Sequence, residues 1–175
     1  MKKLLALSSL LLLTVFICIG CQQPEERTYT DAELQKIKDN AAKLWNGGDI
    51  AFVDSLYSLN CIYHNADLGD VKGPAGIKGF VKWVYTAYPD FVVKLDEPMK
   101  LKDRTIITYK AAGTNNGPIG ENMLPTGKKM SFTGVSISKI KNGKISEEWD
   151  YYHQYPIYKQ LGYKLVPVEK EPIKK

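Results

Sequence analysis

The stretch MSFTGVSISKIKNGKISEEWDYYH, residues 130–153, carries two alternating segments around Asn142-Gly143. Asn-Gly tolerates the positive φ angles of a tight two-residue hairpin turn. The stretch therefore reads as strands Met130–Ile140 and Lys144–His153 lying antiparallel. Period-two alternation along the second strand puts Ile145, Glu147, Trp149, Tyr151 and His153 on one face, and Ser146, Glu148, Asp150 and Tyr152 on the other. Large apolar groups mixed with a carboxylate and an imidazole have the character of a pocket wall. The same face also reads as plain core, with His153 solvated at the strand end.

Working outward, Phe91–Leu95 and Thr105–Thr114 read as further strands, joined around Lys102-Asp103-Arg104. The loop Asn115–Lys128 between them and the hairpin holds three glycines and two prolines. A loop of that length in a compact domain is usually functional or mobile. Upstream the period changes. Thr30-Asp31-Ala32-Glu33 is a capping-box pattern, and Leu34, Ile37, Ala41, Leu44 and Trp45 follow at helical spacing. Gly47-Gly48 stops that helix. Asp49 can cap a second one carrying Ile50, Val53, Leu56 and Tyr57. Cys61–His64 reads as a strand and Asn65–Gly73 as a polar loop. Pro74 suits the first turn of a third helix with Ile77, Phe80, Val81 and Val84 on one face, and Tyr88-Pro89 ends it. Tyr155–Leu161 forms a short terminal helix. Helices first and a strand meander after them give an α+β domain: three N-terminal helices on a strongly curved antiparallel sheet, enclosing a pocket.

The chain has 175 residues, room for one domain, and 44% hydrophobic and 25% charged residues are ordinary for a globular one. Its start is not. Lys2 and Lys3 precede an uncharged apolar run, Leu4 to Ile19, the layout of an export signal. The run is short for a spanning helix, which needs ~20 apolar residues. It ends at Cys18-Ile19-Gly20-Cys21, which resembles a lipobox with Cys18 where Leu is usual. Residues 1–20 are thus expected to be a lipoprotein signal, with Cys21 lipidated, 21–29 a tether, 30–163 the domain and 164–175 a loose tail; the alternatives for the first segment are an ordinary signal peptide cut nearby or an uncleaved anchor. Gln22 after the acylated cysteine fits, by resemblance, an outer-membrane address facing periplasm or surface. With Cys18 removed and Cys21 acylated, Cys61 has no disulfide partner and reads as a small buried hydrophobe. Lys and Glu are interspersed, so no basic stripe points to nucleic acid. There is no HExxH, paired-cysteine spacing, glycine-rich phosphate loop or GxSxG, and neither a metal nor a cofactor is expected.

An ordered series of short motifs carries a family resemblance: Tyr63-His64-Asn65, Gly73 opening a helix, Tyr88-Pro89-Asp90-Phe91, Gly113-Thr114 with Gly117-Pro118, Pro125-Thr126-Gly127, Gly134-Val135-Ser136-Ile137, and Gly143 through Trp149. Together they resemble the SnoaL-like polyketide cyclase or ester cyclase family of the NTF2-like superfamily, over nearly all of residues 30–162. The resemblance implies a conical fold with a deep pocket between a bent sheet and three helices, and often a homodimer through the sheet. It also implies an aspartate general acid/base on the last strand, four residues after the tryptophan. In this sequence that position holds His153, and an imidazole near neutral pH is a competent base.

Two functions follow as expectations. In the first, a pocket enzyme acts on a small apolar carbonyl compound. His153 is the base. Tyr63 and His64 are candidates to polarise the carbonyl; alternation lets only one face the pocket, and His64 is favoured. Trp149, Tyr151, Phe80 and Trp83 shape the walls, Glu147 and Thr133 add polar contacts, and Met123 and Leu124 sit on a loop able to cover the mouth. In the second, the same wall belongs to a non-catalytic lipoprotein that binds a small hydrophobic molecule at the membrane. A third, blander possibility is an interior filled by its own side chains.

Overall fold

The computed structural model describes residues 29–65 and 68–167. The expected signal 1–20, the lipidation site Cys21 and the end of the tail lie outside the described residues. Among those described, no helix is long and apolar enough to cross a membrane.

Helix α1 (Asp31–Gly47) starts where the sequence places it. Thr30 accepts from the Glu33 amide and Glu33 accepts from the Thr30 amide, so two free donors of the first turn are satisfied reciprocally. Gly48 closes it in the left-handed region, at φ 62°. Leu34, Ile37 and Leu44 form its buried stripe. Full burial of a leucine such as Leu44 is worth roughly 1.5–3 kcal/mol. A short helix α2 (Phe52–Leu56) follows, and strand β1 (Tyr57–Asn65) leaves it directly. Tyr57 is therefore the first strand residue rather than the end of the helix. Part of the expected polar loop is ordered as strand β2 (Gly69–Lys72), antiparallel to β1. Helix α3 (Gly73–Ala87) begins with Pro74 in its first turn and buries Ile77, Val81, Val84 and Ala87.

Then come β3 (Val92–Leu95), β4 (Met99–Lys100), β5 (Arg104–Thr114), β6 (Lys129–Lys141), β7 (Lys144–Tyr152) and helix α4 (Gln154–Leu161). The sheet runs β2-β1-β7-β6-β5-β3, with β4 also on β5. Asn142 and Gly143 take φ of 53° and 71°, the positive pair that the β6–β7 turn requires. The fold is α+β as expected, but the sheet is mixed: β1 pairs parallel with β7 while the other pairs are antiparallel. That pairing sets β1 beside the last strand, which brings residues far apart in sequence onto one wall.

One irregularity decides which face of β7 looks inward. Ile145 opposes Ile140 and Glu147 opposes Lys139, so Ser146 is an extra residue on the β7 side. Such a bulge reverses the alternation beyond it. Ile145 is buried before it; Glu148 and Asp150 are buried after it. The Ser146 hydroxyl donates to the Lys139 carbonyl at 3.1 Å within the bulge.

Candidate active-site cavity

Between the helices and the inner face of the sheet lies a cavity of about 170 Å³. An apolar cavity of ~150 Å³ can hold a benzene-sized guest. The interior is therefore not filled by its own side chains. Ile37, Ala41 and Trp45 of α1 and Phe80, Trp83 and Val84 of α3 make one side apolar. Tyr88, Phe91, Phe132 and Ile157 extend the apolar lining, and Ile119 contributes from the long loop. The polar groups gather on the opposite side: Ser136 and Ser138 of β6, Glu148 and Asp150 of β7, and the phenols of Tyr57, Tyr63, Tyr109 and Tyr152.

Asp150 sits at the centre of that wall. Its Oδ2 accepts the Tyr63 phenol at 2.7 Å and its Oδ1 accepts the Tyr109 phenol at 2.9 Å. Tyr109 reaches it from β5 by crossing Gly134, its register partner on β6. A Cβ at 134 would lie 2.3 Å from the Tyr109 hydroxyl. Glycine here is what lets the ring lie flat against the sheet. Glu148 is held in parallel fashion. Its Oε2 accepts the Tyr57 phenol at 2.6 Å, and its Oε1 accepts the hydroxyls of Ser136 and, at 3.4 Å, Ser138.

Burial is the main influence on both carboxyls, because a charge loses its hydration there. It pushes Asp150 from 3.8 up to about 7; the Tyr63 and Tyr109 bonds oppose the rise, and the Glu148 charge adds to it. Burial also raises Glu148, against the pull of its three hydroxyl donors. The phenols facing these carboxyls are pushed upward too, by burial first and then by the neighbouring negative charges, so they stay protonated donors. A buried carboxyl that changes charge near neutrality is what proton transfer between carbon and oxygen requires.

The sequence-derived candidates divide on this geometry. Tyr63, Phe80 and Trp83 line the cavity as expected. Glu147, Trp149 and Tyr151 do not, because the Ser146 bulge turns them to the outer face. His153 does not either: β7 ends at Tyr152, and His153 is an exposed residue capping α4, with its ring 6.4 Å from Tyr155. His64 is also on the outer face, one residue out of phase with Tyr63. Its Nδ1 is 2.7 Å from Asp70 and its Nε2 3.1 Å from Glu147, and it stacks on Trp149 at 5.2 Å. The two histidines therefore do not converge on one site, and the choice of His64 over Tyr63 as the inward residue is reversed. Thr133 is exposed, and Leu124 is 71% exposed rather than folded over the cavity. The residues that alternation missed are Asp150, Glu148, Tyr57 and Tyr109. Among the described residues, no group of three His, Cys, Asp or Glu side chains is placed to hold a metal ion.

Residues 35–161 match the family described as SnoaL-like polyketide cyclase. The chain belongs to this family. Among curated proteins, none matches it significantly. Solved structures resemble this SnoaL-like domain closely in shape. TsrD from Streptomyces laurentii superposes with a TM-score of 0.69 at 19% identity, covering 77% of this chain and 98% of its own. A protein of ketosteroid isomerase-like fold from Catenulispora acidiphila, in complex with trimethylamine, gives 0.62 at 17%, covering 78% and 98%. An LEH-like epoxide hydrolase from M. tuberculosis gives 0.58 at 16%, covering 74% and 90%. At these identities the likeness establishes the fold. The chemistry of the SnoaL-like domain must be argued from its own cavity.

Proposed function

We propose that the domain is a general acid–base catalyst that moves a proton alpha to the carbonyl of a small apolar compound, with Asp150 as the base. The observation that carries this reading is the buried Asp150 carboxyl, held by two phenols, on the polar side of a mostly apolar cavity. In the step, the Asp150 carboxylate takes the C–H proton, the carbon's electron pair moves to the carbonyl oxygen, and an enolate forms. Tyr63 and Tyr109 hold the carboxylate in one orientation, so no reorganisation is needed at the moment of transfer. The enolate is then reprotonated at carbon by Asp150, giving exchange or isomerisation, or attacks a second carbonyl in the same molecule, closing a ring, and the new alkoxide takes the proton from Asp150. The aromatic walls exclude water, which protects the enolate.

The test uses the purified soluble domain, 1-indanone and 2-tetralone in deuterated buffer, and NMR of the α-protons. Enzyme-dependent exchange is expected, falling by roughly 10²–10⁴-fold in Asp150→Asn. Exchange that is equal in the two proteins removes Asp150 from the role. The apolar bulk of the lining favours a second reading, a carrier for a small hydrophobic ligand. A ligand that co-purifies unchanged, with no exchange of any ketone, would select it.

Two further assignments complete the proposal. The Lys2-Lys3 and apolar layout supports export and acylation at Cys21, which intact-mass measurement of membrane-extracted protein tests through the diacylglyceryl increment. The outer face, with Trp149 opposite Ile137 and Tyr151 opposite Val135, supports a homodimer through the sheet. Light scattering on Trp149→Lys, expected to be monomeric, tests that.

A further inference from the structure

Glu148 and Asp150 lie two residues apart on β7, beyond the bulge, both buried and both on the cavity wall. Two strand residues at that spacing project side by side, their Cα atoms ~7 Å apart. The hydrogen-bond donors described for the two carboxyls are all uncharged hydroxyls: Tyr57, Ser136 and Ser138 for Glu148, Tyr63 and Tyr109 for Asp150. The titratable groups packed around them are Tyr57, Cys61 and Tyr63 from β1, Tyr109 from β5, Tyr152 from β7, Tyr88 at the end of α3 and Tyr158 from α4. Burial pushes Tyr57, Cys61, Tyr63, Tyr88 and Tyr109 upward, so these five stay protonated and uncharged at neutral pH. Among the described residues, no Lys, Arg or His lines the cavity. Two negative charges in this wall would face each other at low dielectric with no counter-charge, which is the arrangement that drives a shared proton.

We propose that Glu148 is a positioning residue for the base: the two carboxyls hold one proton between them across neutral pH, and Glu148 sets the pH at which Asp150 becomes a proton acceptor. This rests on the reading of Asp150 as base, but it makes a claim of its own. The acid limb of activity reports the pair rather than Asp150 alone. A merely structural Glu148 would alter stability and leave that limb in place.

The experiment is a carboxyl ¹³C NMR titration of the wild-type domain, Glu148→Gln and Asp150→Asn, run beside the pH profile of ketone exchange. Two coupled steps are expected in wild type. In Glu148→Gln the remaining Asp150 step should fall by roughly a pH unit or more, and the acid limb of exchange with it. Coupling is reciprocal, so Asp150→Asn should lower the Glu148 step by the same amount. Should Glu148→Gln fail to fold, Tyr57→Phe keeps the carboxyl and removes a donor to its ionised form. It should raise the Glu148 step and lower that of Asp150. Carboxyls that titrate identically with and without their partner overturn the proposal. Coupled titration without ketone exchange would instead leave the pair standing and remove the catalytic reading.

Discussion

Tyr63 donates its phenol to Oδ2 of Asp150 at 2.7 Å across 87 residues of sequence, and this bond exists because β1 runs parallel beside β7. It stabilises the ionised carboxylate, working against the burial that raises it. In Tyr63→Phe the opposing influence is gone, so Asp150 should ionise at higher pH. The acid limb of ketone exchange should therefore move upward, and unfolding at pH 8 should cost ~1.5–3 kcal/mol less, the usual worth of a bond to a charged group. Urea unfolding at pH 8 and the exchange profile check both parts. An acid limb that moves downward contradicts the assignment.

Asp150 also predicts how stability depends on pH. Its folded value, about 7, lies above the ordinary 3.8. The folded state thus binds the proton more tightly than the unfolded chain does. Its contribution is most favourable below pH 4, declines as pH rises from 4 to 7, and is flat above that. Three pH units correspond to on the order of 4 kcal/mol. Asp150→Asn should lose this decline and gain relative to wild type at pH 8. Denaturant midpoints at pH 4, 5.5, 7 and 8 measure it; parallel curves for the two proteins would contradict it.

His64 has the same direction of pH dependence, at higher pH, although here the form that the fold favours is the charged one. Its partial burial disfavours the charged ring, but the bonds and charges of Asp70 and Glu147 outweigh that, and its titration moves above 6.5. A raised histidine stabilises the fold fully below 6.5, and the benefit disappears as pH rises through the folded value. The site is partly exposed, so the effect is under about 1 kcal/mol. His64→Gln should be less stable than wild type at pH 5.5 and equal to it at pH 9. It should leave exchange chemistry intact, because the ring lies on the outer face.

These assignments show where a sequence is legible and where it is not. The Thr30 cap, the Gly48 stop, Pro74 and the Asn142-Gly143 turn are local devices, each set by residues next to one another. They fix the elements, and with them the α+β class. The inward face of β7 is different. Alternation is right at Ile145 and wrong from Glu147 onward, because one extra residue at Ser146 reverses the phase. Nothing in Ile145-Ser146-Glu147 marks a bulge; it arises from how β6 and β7 pair. An unbroken alternation runs on to His153, which the chain leaves outside the strand. A usable signal did exist in Glu148, Asp150 and Tyr152, whose spacing matches a wall of polar groups as well as their neighbours do.

Gly134 offers the sharpest test of the cavity wall. A Cβ there would stand 2.3 Å from both Cζ and the hydroxyl of Tyr109, so the ring in Gly134→Ala must swing off the sheet. That withdraws the phenol from Oδ1 of Asp150 as well as disturbing packing. Overpacking of this kind costs typically ~1–3 kcal/mol. The lost donor should also move Asp150 to higher pH, as Tyr63→Phe does from the other side. The cause can be isolated by placing the alanine in a Tyr109→Ala background, where the three nearest contacts, all with the Tyr109 ring, are gone. Residues in contact are non-additive, so Gly134→Ala should be nearly neutral there. If it costs the same in both backgrounds, the glycine serves the backbone alone, and Tyr109 owes its place on Asp150 to something else.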